Sequence, residues 1–185
     1  MTTEDRSIAT SAISGTSVAH ETVHDHGNPE FYSVSVPKLF VLSLCTLGLY
    51  ELYIQYRNWA LIKARDNSDI KPFWRAFFAI FFVYGLFSRV DQSARNHQLP
   101  GTAAGPLAAG WIITTLLWRL PDPYWLICYA AVFFLLPVQS AINRINSATC
   151  TNLDTNGRYN GWEVALVVVG GLFFVLAVIG TFLPE

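Results

Sequence analysis

The run EVALVVVGGLFFVLAVIGTFL, Glu163 to Leu183, constrains this chain more than any other feature. After the single acid at its start it carries no charged side chain. About 20 helical residues suffice to cross the hydrocarbon core of a bilayer, and a water-soluble domain would have to bury such a helix on every side. Composition points the same way. The 185 residues are 52% hydrophobic and only 14% charged, against about 25% charged in soluble domains.

Four further apolar stretches precede this run. The first extends from Lys38 to about Tyr56 and continues as a polar helix carrying Arg57, Lys63 and Arg65. The second is KPFWRAFFAIFFVYGLFSRV, Lys71–Val90, its helix running on to Asn96. TAAGPLAAGWIITTLLWRL, Thr102–Leu120, is the third and stops at PDP, where two prolines permit only a tight turn. Tyr124 to about Asn146 is the fourth. The expected fold is all-α: a polytopic membrane helix bundle over residues 31–185. It has about five transmembrane helices, or four if the first element lies in the interface. Trp59, Trp74, Trp118, Trp125 and Trp162 fall near span ends, as an interfacial aromatic belt requires.

Residues 1–30 have a different composition. They are rich in Ser, Thr, Ala and acids and hold no aromatic residue. Such a segment cannot bury enough apolar surface to fold alone, so a disordered tail is expected. It lacks the basic start and apolar core of a secretory signal.

Arg57, Lys63, Arg65, Lys71 and Arg75 make the connection between the first two elements basic, which places it in the cytoplasm. Five spans then put the tail outside and the C-terminus inside, whereas an interfacial first element puts both inside. The other basic residues are too evenly divided along the sequence to add to the argument.

Two polar stripes interrupt the apolar pattern. Glu51, Gln55 and Asn58 share one helical face by their i, i+4, i+7 spacing, and Gln139, Asn143 and Asn146 repeat it. A carboxylate facing lipid costs about 2.5–3.5 kcal/mol on insertion scales, so the Glu51 face must turn inward or sit near the headgroups. The stripes are expected to hydrogen-bond to each other across the bundle, as an inter-helix clamp. The functional alternative makes them the site of a small transporter or channel subunit, with Glu51 binding a proton or cation. The clamp is preferred, because ion paths usually hold more than one intramembrane acid.

Several weaker patterns carry bland readings. Q-S-A-x-N occurs at Gln92–Asn96 and Gln139–Asn143, a hint of a duplicated hairpin that coincidence explains equally well. Asp91 and Arg95 have i, i+4 spacing and suit a local salt bridge. Gly101, Gly105 and Ala108 suggest a small-residue face for close helix packing within the chain. HETVH, His20–His24, matches the zinc-hydrolase pattern H-E-x-x-H, but in a tail without a stable helix it lacks the required context. Cys45, Cys128 and Cys150 have no spacing suited to a disulfide framework or metal site. No catalytic residue, metal site or cofactor is expected, and a net charge of −1 gives no reason to expect a nucleic-acid partner. Membrane lipids are the expected surroundings, with a homo-oligomer or a membrane-protein partner left open.

The stretches FYSVSVPKLFVLSLCTLGLYELYIQYRNW, IKPFWRAFFAIFF, QSAINRIN and NGWEVALVVVGG together resemble a family of small bacterial inner-membrane proteins catalogued as a domain of unknown function. The resemblance is most specific over Phe31–Val90 and excludes the tail. Related sequences carry Trp where this chain has Ile54, a departure that bears on packing rather than chemistry. The resemblance implies a bacterial cytoplasmic-membrane location and supplies no catalytic residues. The expected function is that of a non-enzymatic structural or accessory membrane component.

Overall fold

The computed structural model describes residues 29–150 and 156–182. Most of the expected tail, including HETVH, lies outside the described residues. Within them the chain is helical and holds no strand. An extended segment, residues 29–35, leads into α1 (Val36–Cys45) and α2 (Leu49–Asp66). Then follow α3 (Pro72–Phe77), α4 (Ala79–Asn96) and α5 (Ala104–Leu116), which tightens into a 3-10 turn at Leu117–Arg119. A second 3-10 segment, Tyr124–Ala130, runs into α6 (Ala131–Thr149), and α7 (Gly161–Phe182) ends the described chain.

The first apolar element is not one continuous helix. α1 ends at Cys45, and Leu47 (φ 54°) and Gly48 (φ 83°) take left-handed backbone conformations. The Gly48 N–H donates to the Ser43 carbonyl at 2.9 Å, satisfying a carbonyl at the helix end. From there α2 runs back the way α1 came. Its Asn58 receives the Tyr32 N–H at 3.0 Å, and its Arg65 pairs with Glu30 at 2.8 Å, both partners lying just before α1. Hydropathy reads straight through this break because Leu47 and Leu49 are as apolar as a span requires, while handedness of the backbone leaves no hydropathy signal.

The second element is also broken, at Phe78, where φ stays at -93° but ψ turns to 41°. α3 runs alongside α2, with the Arg75 guanidinium over the Trp59 ring at 4.4 Å. α4 then returns to Glu30, which accepts from Ser93 at 2.7 Å and lies 3.3 Å from His97. The expected Asp91–Arg95 pair forms at 2.9 Å, and Asp91 also takes the Thr102 N–H, holding the start of α5 beside the end of α4. α5 goes down, and α6 comes back to place Asn146 at Glu30 and Phe31. Phe31, Val34, Ile62, Val83, Val90 and Ile145 are fully buried at the centre.

Two helical stretches, Tyr124–Thr149 and Gly161–Phe182, are long and apolar enough to cross a membrane. α7 is no core helix. Glu163 is its one buried residue, while Val168, Leu172, Phe173 and Phe182 are each more than 60% exposed. It lies against α1, running in the same direction. Lys38 meets Glu163 at 2.8 Å near the start of both, and Gly170 and Gly171 meet Cys45 at the end of α1. A side chain at Gly170 would run into the Cys45 carbonyl, so this crossing needs glycine. At 1.5 Å per residue α7 is about 33 Å long and α1 about 15 Å. The break after α1 therefore lies about half-way down α7.

Three sequence expectations are corrected. Trp59 belongs to the core, 1% exposed, rather than to an aromatic belt, because Arg75 and Arg89 cover its ring. Of the expected small-residue face, Ala108 is buried and Gly101, just before α5, lies tight against Asp91, but a Cβ at Gly105 would meet nothing, and the close approach within the helix itself is at Gly110, against the Phe134 ring. The two Q-S-A-x-N segments are not equivalent in environment: Gln139 is buried and Gln92 exposed.

The alternation of helices brings the basic residues to one end. The sequence holds twelve Lys and Arg, of which Arg6 lies outside the described residues. Of the other eleven, all but Arg119 lie in the half of the bundle that carries Glu30: on α1 to α4, on the last turns of α6, or just before α7.

Candidate functional site

The two polar stripes converge, but not on each other. Segment 30–34 runs between them as a stretch of non-helical backbone whose polar groups they hold. Asn146 accepts from Glu30 N–H and Phe31 N–H at 3.1 and 3.2 Å. Its amide nitrogen donates to the Phe31 carbonyl at 2.6 Å and the Ser33 hydroxyl at 2.7 Å. Asn143 donates to the Val34 carbonyl at 2.9 Å, and Gln139 to the Tyr32 carbonyl at 3.1 Å. From the other side Asn58 takes the Tyr32 N–H. A non-helical segment without a paired strand has no regular backbone partners, and buried backbone groups must find them elsewhere. Amide side chains, which donate and accept at once, supply them here. The expectation of an inter-helix clamp is thus corrected: the stripes clamp the chain's own N-terminal segment, each from its own side.

The segment is anchored at both ends. Glu30 is held by Arg65, Ser93 and His97. The Tyr32 hydroxyl accepts from Asn156 at 3.0 Å, and burial pushes that phenol up to about 12, with Tyr53 beside it adding to the shift. Close by, the Lys38–Glu163 pair is almost wholly withdrawn from solvent. Lys38 also donates to Asn156 at 3.1 Å and to the Arg158 carbonyl at 2.8 Å, so its three ammonium protons are all used. Glu163 further accepts the Asn160 N–H at 2.8 Å. A buried charge pair is tolerated only when the remaining lone pairs and protons are bonded in this manner.

Glu51 and Gln55 stand apart from this clamp. Gln55 is 1% exposed, and neither its amide oxygen nor its nitrogen has a partner among the described residues. Glu51 lies in the first turn of α2, where a carboxylate is favoured by the N–H groups of the helix start. The indole N–H of Trp111 donates to Glu51 Oε2 at 2.9 Å. A cleft of about 430 Å³ opens beside this pair, between the α1–α2 break, the start of α4, α5 and the 3-10 segment before α6. Among the described residues Glu51 is the one acidic side chain in its wall.

The six candidate residues are thus divided. Asn58, Gln139, Asn143 and Asn146 meet around segment 30–34, Glu51 faces a separate cleft, and Gln55 reaches neither. Trp111 and Glu30 were missed. A signal for Trp111 existed: it lies mid-run rather than at a span end, and a buried indole N–H needs an acceptor. Glu30 falls inside the compositional tail, where nothing local distinguishes it. No group of three or more His, Cys, Asp or Glu capable of holding a metal occurs among the described residues. Compared with protein-family models, curated proteins and solved structures, the chain matches none.

Proposed function

We infer that the chain is a multi-pass protein of a bacterial cytoplasmic membrane, non-enzymatic, serving as a structural or accessory component whose bundle is closed by its own N-terminal segment. The observation that carries this reading is the use of Asn58, Gln139, Asn143 and Asn146. Their polar groups are engaged by backbone of residues 30–34 and are not left facing a path for cargo. Membrane residence is supported by the outer face of α7, a continuous apolar surface suited to lipid. The transporter alternative with a polar site between the two stripes loses its space to the segment, although Glu51 at a helix break keeps a binding role for the other side of α2. HETVH, outside the described residues, adds no support for hydrolysis.

The proposed topology differs from five successive spans. α1–α2 and α3–α4 enter from one face as helical hairpins and return to it. Non-helical backbone at depth is tolerable there because it is buried against protein or lines a cleft. The end rich in Lys and Arg faces the cytoplasm. Segment 29–35, the 66–71 turn, the 97–103 turn and the start of α7 then lie on that side, and the C-terminus lies outside. Fusions test this. Alkaline phosphatase at the C-terminus should be active and a fluorescent protein at the N-terminus should glow. An inactive C-terminal phosphatase would sink the arrangement: five spans put the C-terminus inside with the tail outside, four spans put both inside.

A further inference from the structure

We propose that the Glu51 cleft is a binding site for an organic ammonium ion carried on an apolar body. The reasoning begins with the wall. Trp111, Trp118, Trp125, Tyr129 and Phe77 line a volume of about 430 Å³, within the size range of small-molecule sites. Aromatic faces attract cations through their quadrupoles, most strongly where water is excluded. A cleft walled by aromatic rings could equally accept a neutral apolar molecule, and Glu51 decides against that.

Glu51 is 8% exposed. Trp111 takes one of its oxygens, Oε2, while Oε1 has no hydrogen-bond donor among the described residues. The Lys38–Glu163 pair shows what this fold does with a buried acid that serves structure alone: it is given a cation and a backbone N–H. Among the described residues Glu51 has neither, and no basic residue lines the cleft. Arg119, the one basic residue at this end, lies over the Trp118 ring at 5.0 Å without joining the wall. A carboxyl group with a free oxygen, an indole donor and several aromatic side chains around it would be completed by a positive charge small enough to reach it.

Access follows from the rim. Leu47, Leu49, Phe77 and Trp118 are each at least 50% exposed, so the cleft opens sideways through apolar side chains. A ligand entering there arrives with apolar surface leading. Two sources share that chemistry: an aminophospholipid of the surrounding leaflet, or a lipophilic cation dissolved in the bilayer. The inference goes beyond the membrane reading above and does not depend on the orientation proposed there.

Cys128 lines the cleft and reports on its occupancy. In the full chain with Cys45 and Cys150 replaced by Ala, the rate of Cys128 labelling by a maleimide would be followed in neutral detergent. Benzyltrimethylammonium should slow labelling in a saturable manner, and its uncharged isostere neopentylbenzene should not. Glu51→Gln keeps an oxygen for the Trp111 N–H, yet should raise the concentration needed for protection by about tenfold or more. Trp118→Leu, at the exposed rim, should weaken protection several-fold and decides the matter should Glu51→Gln fail to fold. Nanodiscs separate the sources. Slower labelling in phosphatidylethanolamine than in phosphatidylglycerol alone, lost in Glu51→Gln, identifies the lipid amine. Protection only on adding benzyltrimethylammonium identifies a free cation. Equal protection by both compounds, no protection by either, or protection unchanged in both variants overturns the proposal.

Discussion

Asn146→Leu tests whether segment 30–34 is held as the hydrogen bonds indicate. Leucine keeps the branched heavy-atom shape of asparagine but is bulkier, so the change removes every one of these bonds and adds some overpacking to their loss. Asn146 is wholly buried, and it satisfies Phe31 N–H, Phe31 C=O, Glu30 N–H and the Ser33 hydroxyl. A buried polar group left without a partner costs about 1–3 kcal/mol. The two Phe31 groups, in a residue with no solvent exposure, then cost about 2–6 kcal/mol together. The part-buried Glu30 N–H recovers most of its loss by hydration. Taking about 4 kcal/mol, and about 2–4 °C per kcal/mol for a chain of this size, the melting temperature should fall by roughly 8–16 °C. Intrinsic tryptophan fluorescence of the purified protein in mild detergent measures it, with exposed Asn96→Leu as the control. A fall of less than about 2 °C, equal to the control, would refute the clamp.

Gln55→Leu should have the opposite sign. Both amide atoms of Gln55 are buried without partners, so removing them should leave the melting temperature unchanged or raise it. Lys38→Met should destabilise by about 3–5 kcal/mol by leaving Glu163 buried and unpaired, and adding Glu163→Leu should restore much of that loss, a pattern that a double-mutant cycle measures. Gly170→Ala should cost about 1–3 kcal/mol by pressing on the Cys45 carbonyl, whereas Gly180→Ala, with nothing near, should not, as parallel thermal melts would show. Arg89, by its hydrogen bond, and Arg65 hold the Asp66 carboxyl below the usual carboxylate range, against a smaller opposing effect of burial. Asp66 therefore stabilises the fold above its unfolded-state pKa, and that contribution is lost as pH falls through the depressed folded value. Thermal melts across the acid range should show a shallower decline in Asp66→Asn than in the parent.

How much of this was legible in the sequence depends on what each signal measures. α7 was read with nearly its true bounds, because twenty apolar residues without a break or a charge have few alternatives. The spacing of Gln139, Asn143 and Asn146 was also visible, together with the rule that such a face turns inward. Its partner was not. An amide side chain satisfies a backbone group as readily as another side chain, and the backbone carries no sequence label. Glu30, Phe31 and Val34 gave no hint that an extended segment would fill the centre. Glu51 was correctly singled out as a carboxyl in an apolar run, yet Trp111, 60 residues away, is joined to it by geometry alone.

The orientation argument turns on the same limitation. Read as five successive spans, the chain places Arg89 and Arg95 near the far end of the second element, and Arg158 in a far-side loop. The basic residues are then divided between the two sides, and only the cluster from Arg57 to Arg75 speaks. Once the chain reverses at Leu47–Gly48 and again at Phe78, α4 runs toward Glu30 instead of away from it. Arg89 then reaches Asp66, Arg95 closes on Asp91, and the 97–103 turn joins the end that carries Glu30. α5 and α6 complete one more return, which brings Arg144 and Arg158 to the same side. Two short backbone reversals thus convert an ambiguous charge distribution into a one-sided one. The same reversals place the first turn of α2, and Glu51 with it, half-way down α7 rather than at a surface. Backbone breaks in runs whose hydropathy never falters, left-handed at Leu47–Gly48 and a local departure from helical ψ at Phe78, therefore account for both the basic face and the depth of the acid.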